Sequence, residues 1–158
     1  MDTTTASVST LNELVLINND RVAGYEKALE ELKSKSEGSV GNEDLTALFM
    51  GYAADSRRMS TELADQVRSE GGEAEEGTMV SGKLFRAWMD VKALFTGKDR
   101  HAILASCETG EDAAQRAYQS ALGEDELTPS AREIIVRQQA DLKRAHDLVR
   151  DLRDASGQ

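Results

Sequence analysis

One cysteine, one proline and an aromatic content of only 4% are what this sequence of 158 residues has least of. A lone cysteine, Cys107, excludes an intramolecular disulfide and reads as a small core residue in a reducing compartment. With one proline and few β-branched runs, little interrupts a helix, and the plentiful Ala, Leu, Glu, Arg and Gln lose little freedom on one. No apolar run approaches the roughly 20 residues that span a bilayer. The opening MDTTTASVST lacks the basic start and apolar stretch of a signal peptide, so the expected location is the cytoplasm. Positive charge is also short: a net charge of −10 and a pI near 4.7 argue against nucleic acid or an anionic membrane surface as partner. There is no Gly-rich phosphate loop, no Cys/His zinc spacing and no G-x-S-x-G. One cysteine and two distant histidines leave nucleophilic catalysis with little support.

What is present is helical periodicity. Residues 1–9 read as a disordered tail, 10–154 as a single domain and 155–158 as a second tail. Thr10 and Glu13 have capping-box spacing. The stripe that follows runs Leu11, Leu14, Val15, Val22, Tyr25, Leu29, Leu32, with Asn18 on the same face and Glu26 at its edge. After the loop SKSEGSVGN, Asn42 is placed to cap a second helix striped by Leu45, Phe49, Tyr52, Ser56, Met59, Leu63 and Val67, and Gly71-Gly72 ends it. Glu73–Thr78 reads as an acidic, flexible connection. It leads to a shorter amphipathic segment, Leu84, Trp88, Val91, Phe95, expected to pack as a crossover helix. Asp99 is placed to cap a third long helix striped by Ile103, Leu104, Cys107, Glu111, Ala114, Tyr118 and Ala121. The turn GEDEL follows, then Thr128-Pro129 as cap and first residue of a fourth helix. Its stripe is Ile134, Ile135, Gln138, Leu142, Ala145, Val149, Leu152, with His146 at the edge. Two helical hairpins joined by a long crossover predict an all-α antiparallel four-helix bundle.

The chemistry of interest lies in the polar residues on these inward stripes: Asn18, Glu26, Ser56, Glu111, Gln138 and His146. A buried carboxylate such as Glu111 needs a cation or a hydrogen-bond donor. A two-metal carboxylate site in such a bundle takes a Glu from each of two helices and Glu-x-x-His from each of the other two. Here Glu26, Glu111 and His146 supply part of that set. Lys143 stands three residues before His146, and the second helix offers Ser56 and Met59. The competing expectation is an interior hydrogen-bond network among these residues, Tyr25, Tyr118 and Ser56, of the kind that fixes helix register. If Glu111 lies beside His146, Glu111→Leu is expected to be neutral or stabilising.

The stretches LNELVLINNDRVAGYEKAL, LFMGYAADSRRMSTELADQVRSEGGE, GKLFRAWMDVKALFTGKDRHAILASCETGEDAAQRAYQSAL and VRQQADLKRAHDLVRDL together resemble a proteobacterial family of ferritin-like four-helix-bundle proteins of unassigned activity. More distantly the chain is similar to ferritins, bacterioferritins and rubrerythrins. Against their iron-ligand pattern, Glu26, Glu111 and His146 match ligand positions, whereas Ser56, Met59 and Lys143 replace them. The resemblance therefore implies a ferritin-like fold without an intact di-iron centre. A structural, stress-related or protein-interaction role follows, more in keeping with a non-enzyme than an enzyme and with no cofactor. The partners expected are a second copy of the chain or another protein. The alternative is binding or storage of iron, or of another divalent metal, by Glu26, Glu111 and His146.

Overall fold

The computed structural model describes residues 3–35, 42–77 and 100–156. They form four helices: α1 (Thr3–Lys35), α2 (Glu43–Ser69), α3 (Arg100–Leu122) and α4 (Pro129–Ser156). The crossover segment around Trp88 and the expected cap Asp99 lie outside the described residues. α1 packs along α2 and α3 along α4, while α1 also lies against α3. The cross-helix bonds give the direction of each pair. Asn19 meets Ser60 where Glu26 meets Arg57, and Tyr118 meets Gln138 where Glu108 meets Arg153. Partners descend in number as residues ascend, so both hairpins are antiparallel. The antiparallel four-helix bundle is as the periodicity predicts.

The N-terminal boundary differs from the expectation. α1 begins at Thr3, seven residues before Thr10, so residues 3–9 are helical rather than a disordered tail. The reason is burial. Ser7 is wholly enclosed and its Oγ accepts the Thr128 backbone N–H at 3.3 Å, while Val8 packs on the core. Polar Ser and Thr residues disguised a helix end that tertiary contacts hold.

The other helix ends follow their local chemistry with one exception. Asn42 precedes α2 as expected, yet its side chain makes no capping bond; its Oδ1 instead accepts from Arg100 at 3.4 Å, and Thr46 Oγ1 donates to the Asn42 carbonyl at 3.1 Å. Gly71 ends α2 with φ of +88°, a conformation glycine adopts without strain, and the Gly72 N–H reaches the Val67 carbonyl at 2.9 Å. Thr128 Oγ1 accepts the Ala131 N–H at 3.1 Å, capping α4 as its sequence predicts. The connection after α2 is tied down rather than loose as far as Gly77. Asn12 bridges the Glu73 carbonyl and the Glu75 N–H, each at 2.9 Å, and Asn19 donates to the Gly77 carbonyl at 2.6 Å.

The core follows a three-four spacing on every helix. On α1 the enclosed positions include Leu11, Leu14, Asn18, Arg21, Tyr25, Ala28 and Leu32. On α3 they include Leu104, Cys107, Glu111, Ala114, Tyr118 and Ala121, and on α4 Ala131, Ile135, Gln138, Leu142, Ala145 and Val149. Alternating steps of three and four keep one face toward its neighbours along a supercoiled bundle. Val22, expected on the α1 stripe, is only half-buried, because Arg21 holds that register position.

Candidate functional site

Arg21 is among the largest fully enclosed side chains of the described residues, 1% exposed, and it lies at the centre of the bundle. Its guanidinium grips Glu111 of α3 in two parallel bonds, Nε to Oε1 at 2.8 Å and Nη2 to Oε2 at 2.7 Å. The third nitrogen, Nη1, donates to Ser56 Oγ of α2 at 2.6 Å. The Tyr25 hydroxyl donates to Glu111 Oε2. The guanidinium carbon sits 5.3 Å from the Tyr25 ring centroid and 5.4 Å from that of Tyr52, within cation–π range of both. Three helices thus converge on one charge pair, and the planar fork of arginine supplies the bidentate fit that a lysine ammonium lacks. Burial disfavours the charged guanidinium, but the Glu111 carboxylate and its hydrogen bonds outweigh that and hold the Arg21 pKa above its ordinary value.

A second chain of hydrogen bonds runs from the core to the surface. Asn18 Nδ2 donates to the Leu14 carbonyl at 2.9 Å and to the Tyr118 hydroxyl at 2.8 Å. Tyr118 donates to Gln138 Oε1 at 2.6 Å, and Gln138 Nε2 donates to Glu62 Oε1 at 2.9 Å. Glu62 ends the chain in a two-bond pair with Arg137, which holds its carboxyl below the usual value. Together the two sets join all four helices through buried polar groups.

The sequence-selected metal residues are not brought together. Glu111 is enclosed as expected, but it faces Arg21. Glu26 is exposed and pairs with Arg57 on α2, because it follows Tyr25 by one residue and so turns away from the core face. His146 lies at the α3–α4 seam beside Glu108 and Asp112. The set Glu26, Glu111 and His146 is therefore corrected to three separate environments, and among the described residues the group with metal-binding geometry is Glu108, Asp112 and His146. Ser56, read as a lost ligand, accepts from the guanidinium, and the Met59 carbonyl accepts from Gln138 at 3.3 Å. Lys143 pairs with Asp147 at 2.8 Å. His101 is half-buried, with Nδ1 3.1 Å from the Arg153 carbonyl.

Arg21 is the residue that sequence reasoning missed. Its signal was the spacing Leu14, Asn18, Arg21, Tyr25, which keeps the three-four rhythm only if an arginine counts as an inward residue.

The phenols report on this interior. The chain has three tyrosines. Burial, with Glu111 adding to it, pushes Tyr25 well above the ordinary 10.0, and the same two causes push Tyr52 up to about 12. Burial also raises Tyr118, against the opposing hydrogen bond from Asn18. Each phenol holds its proton more tightly folded than unfolded. Their contribution to stability is therefore complete below pH 10 and is lost as pH rises toward the folded values. In a spectrophotometric titration, tyrosinate absorbance should stay low through pH 10 and rise together with alkaline unfolding. Reversible ionisation of any tyrosine near pH 10, with helicity intact, would contradict this arrangement.

Among the described residues, no helix is long and apolar enough to cross a membrane. No curated protein matches the chain. Among solved structures it is similar to a mutant of Dps1 from Mycobacterium smegmatis, with a TM-score of 0.77 and 14% identity over 94% of this chain and 95% of that one. At that identity the likeness establishes the fold, a ferritin-like four-helix bundle, and nothing further. Residues 6–124, well over half of the sequence, match a domain of unknown function, DUF2383, and the chain belongs to that family.

Proposed function

We propose that this protein is a non-enzymatic ferritin-like bundle with a structural, stress-related or protein-interaction role. In this reading the positive charge at the bundle centre is the guanidinium of Arg21. The observation that carries it is the Arg21–Glu111 pair, completed by Tyr25 and Ser56. With a guanidinium fork and a phenol on three of its roughly four lone-pair sites, and its charge already met by Arg21, this carboxylate would have to give up those partners to chelate iron. The proposal extends to a cytoplasmic location and to assembly as a homo-oligomer or with another protein. Supporting contact with a partner, Met50, Val136 and Leu148 are large apolar side chains left exposed, at 59%, 50% and 43%.

The test is aerobic oxidation of Fe(II) by chelator-stripped full-length protein. Turnover should match buffer alone, and Glu111→Gln should leave that background unchanged. Saturable oxidation lost in Glu111→Gln, with the helical circular-dichroism signal preserved, would overturn the proposal and return the bundle centre to metal chemistry.

A further inference from the structure

We propose that Glu108, Asp112 and His146 form a binding site for one first-row divalent cation on the seam between α3 and α4. This site is separate from the Arg21–Glu111 core. Glu108 and Asp112 stand one turn apart on α3, and His146 faces them from α4. One donor atom of each lies within 4.8 Å of the others. His146 Nε2 is 2.7 Å from Asp112 Oδ1 and 3.2 Å from Glu108 Oε2. Yet this nitrogen, shielded from solvent, makes no hydrogen bond of acceptable direction. The two carboxylate oxygens crowd the ring nitrogen without either completing a hydrogen bond to it. A simple ion pair would align N–H with oxygen. Donors crowded side by side at these separations match neighbouring ligands around one cation, which at metal–ligand distances of about 2.1 Å stand about 3 Å apart.

The surroundings fix the orientation of the donors. His146 Nδ1 lies 3.0 Å from Asp147 Oδ1, a carboxylate placed to accept the Nδ1 proton when Nε2 gives its lone pair to a cation. Asp147 is itself held by Lys143 at 2.8 Å and Arg150 at 3.5 Å. Arg153 takes Glu108 Oε1 at 3.0 Å and so leaves Oε2 turned to the imidazole. Glu108 and His146 are each 15% exposed, whereas Asp112 at 41% opens the site to solvent, from which water would complete the coordination shell. One imidazole and two carboxylates suit zinc, cobalt, iron(II) or manganese, and the nitrogen donor disfavours calcium or magnesium.

Cobalt(II) is the probe, titrated into chelator-stripped full-length protein and followed by visible absorption and calorimetry. The expected result is one Co(II) per chain, with affinity reduced at least about tenfold in His146→Gln and in Asp112→Asn. Glu26→Gln, at an exposed position, should bind as the unmodified protein does. Asp147→Asn should weaken binding without abolishing it, a readout that separates orientation of the imidazole from direct ligation. Absence of saturable binding, or binding unchanged by both His146→Gln and Asp112→Asn in folded protein, overturns the proposal. Neither result bears on iron oxidation at Glu111, so the two readings fail independently.

Discussion

Arg21→Met should lower the free energy of unfolding by roughly 3–5 kcal/mol, because it strands a carboxylate in the bundle centre. Glu111 is fully buried, and with Arg21 gone only the Tyr25 hydroxyl would remain of its three donor contacts. Glu111→Leu should also be destabilising by several kcal/mol. This reverses the expectation attached to a Glu111–His146 contact, since the group left behind is a buried guanidinium with Ser56 Oγ as its remaining hydrogen-bond partner in this cluster and no counter-charge there. The double variant Arg21→Met with Glu111→Leu removes both charges and fills the space with apolar atoms. It should therefore recover most or all of the loss, as replaced buried ion pairs do elsewhere. Urea melts of the two single variants and the pair give the coupling directly. A single Arg21→Met costing less than about 1 kcal/mol would mean that the pair is not dry, contrary to its burial. If the double variant is as unstable as either single one, the polar cluster itself holds the helices in register.

Helix identity was legible here because each helix repeats apolar residues at three-four spacing and the turns carry distinctive residues, Gly71-Gly72 after α2 and Thr128-Pro129 before α4. The polar core was half legible. Glu111, Ser56 and Gln138 interrupt apolar stripes and could be flagged on that ground alone. Arg21 could not, because arginine on a helix is ordinarily a surface residue, and Val22 beside it offered an apolar residue one position away. Only the tertiary pairing across 90 residues of sequence shows that the arginine is inside. The Glu108, Asp112 and His146 cluster was hidden for a related reason. Its two carboxylates lie on the edge of the α3 stripe, and their significance depends on which α4 residue the antiparallel register sets opposite them. The helical start at Thr3 was illegible because Ser7 is polar, and nothing local indicates its contact with Thr128.

Phe49→Ala should cost about 3–5 kcal/mol and also loosen the charged centre. Phe49 is fully buried, and its ring centroid lies 5.3 Å from that of Tyr25 at an interplanar angle of 42°. Tyr25 is in turn wedged against Tyr52, with ring centroids 5.4 Å apart, while its hydroxyl holds Glu111. Deleting the phenylalanine ring leaves a cavity on one side of Tyr25, so the phenol can tilt and its hydroxyl can leave the carboxylate. Phe49→Leu keeps most of the apolar contact and should cost only about 1–2 kcal/mol. Two measurements separate plain cavity loss from loosening of the site. In a double-mutant cycle, Phe49→Ala and Tyr25→Phe should be non-additive by roughly 0.5–3 kcal/mol, because the first already weakens what the second removes. In the alkaline titration, Tyr25 of the Phe49→Ala variant should ionise earlier than in the unmodified protein, since water entering beside the ring relieves the burial that raises its pKa. Strict additivity with an unmoved tyrosine titration would show that Phe49 supports the fold without positioning Tyr25.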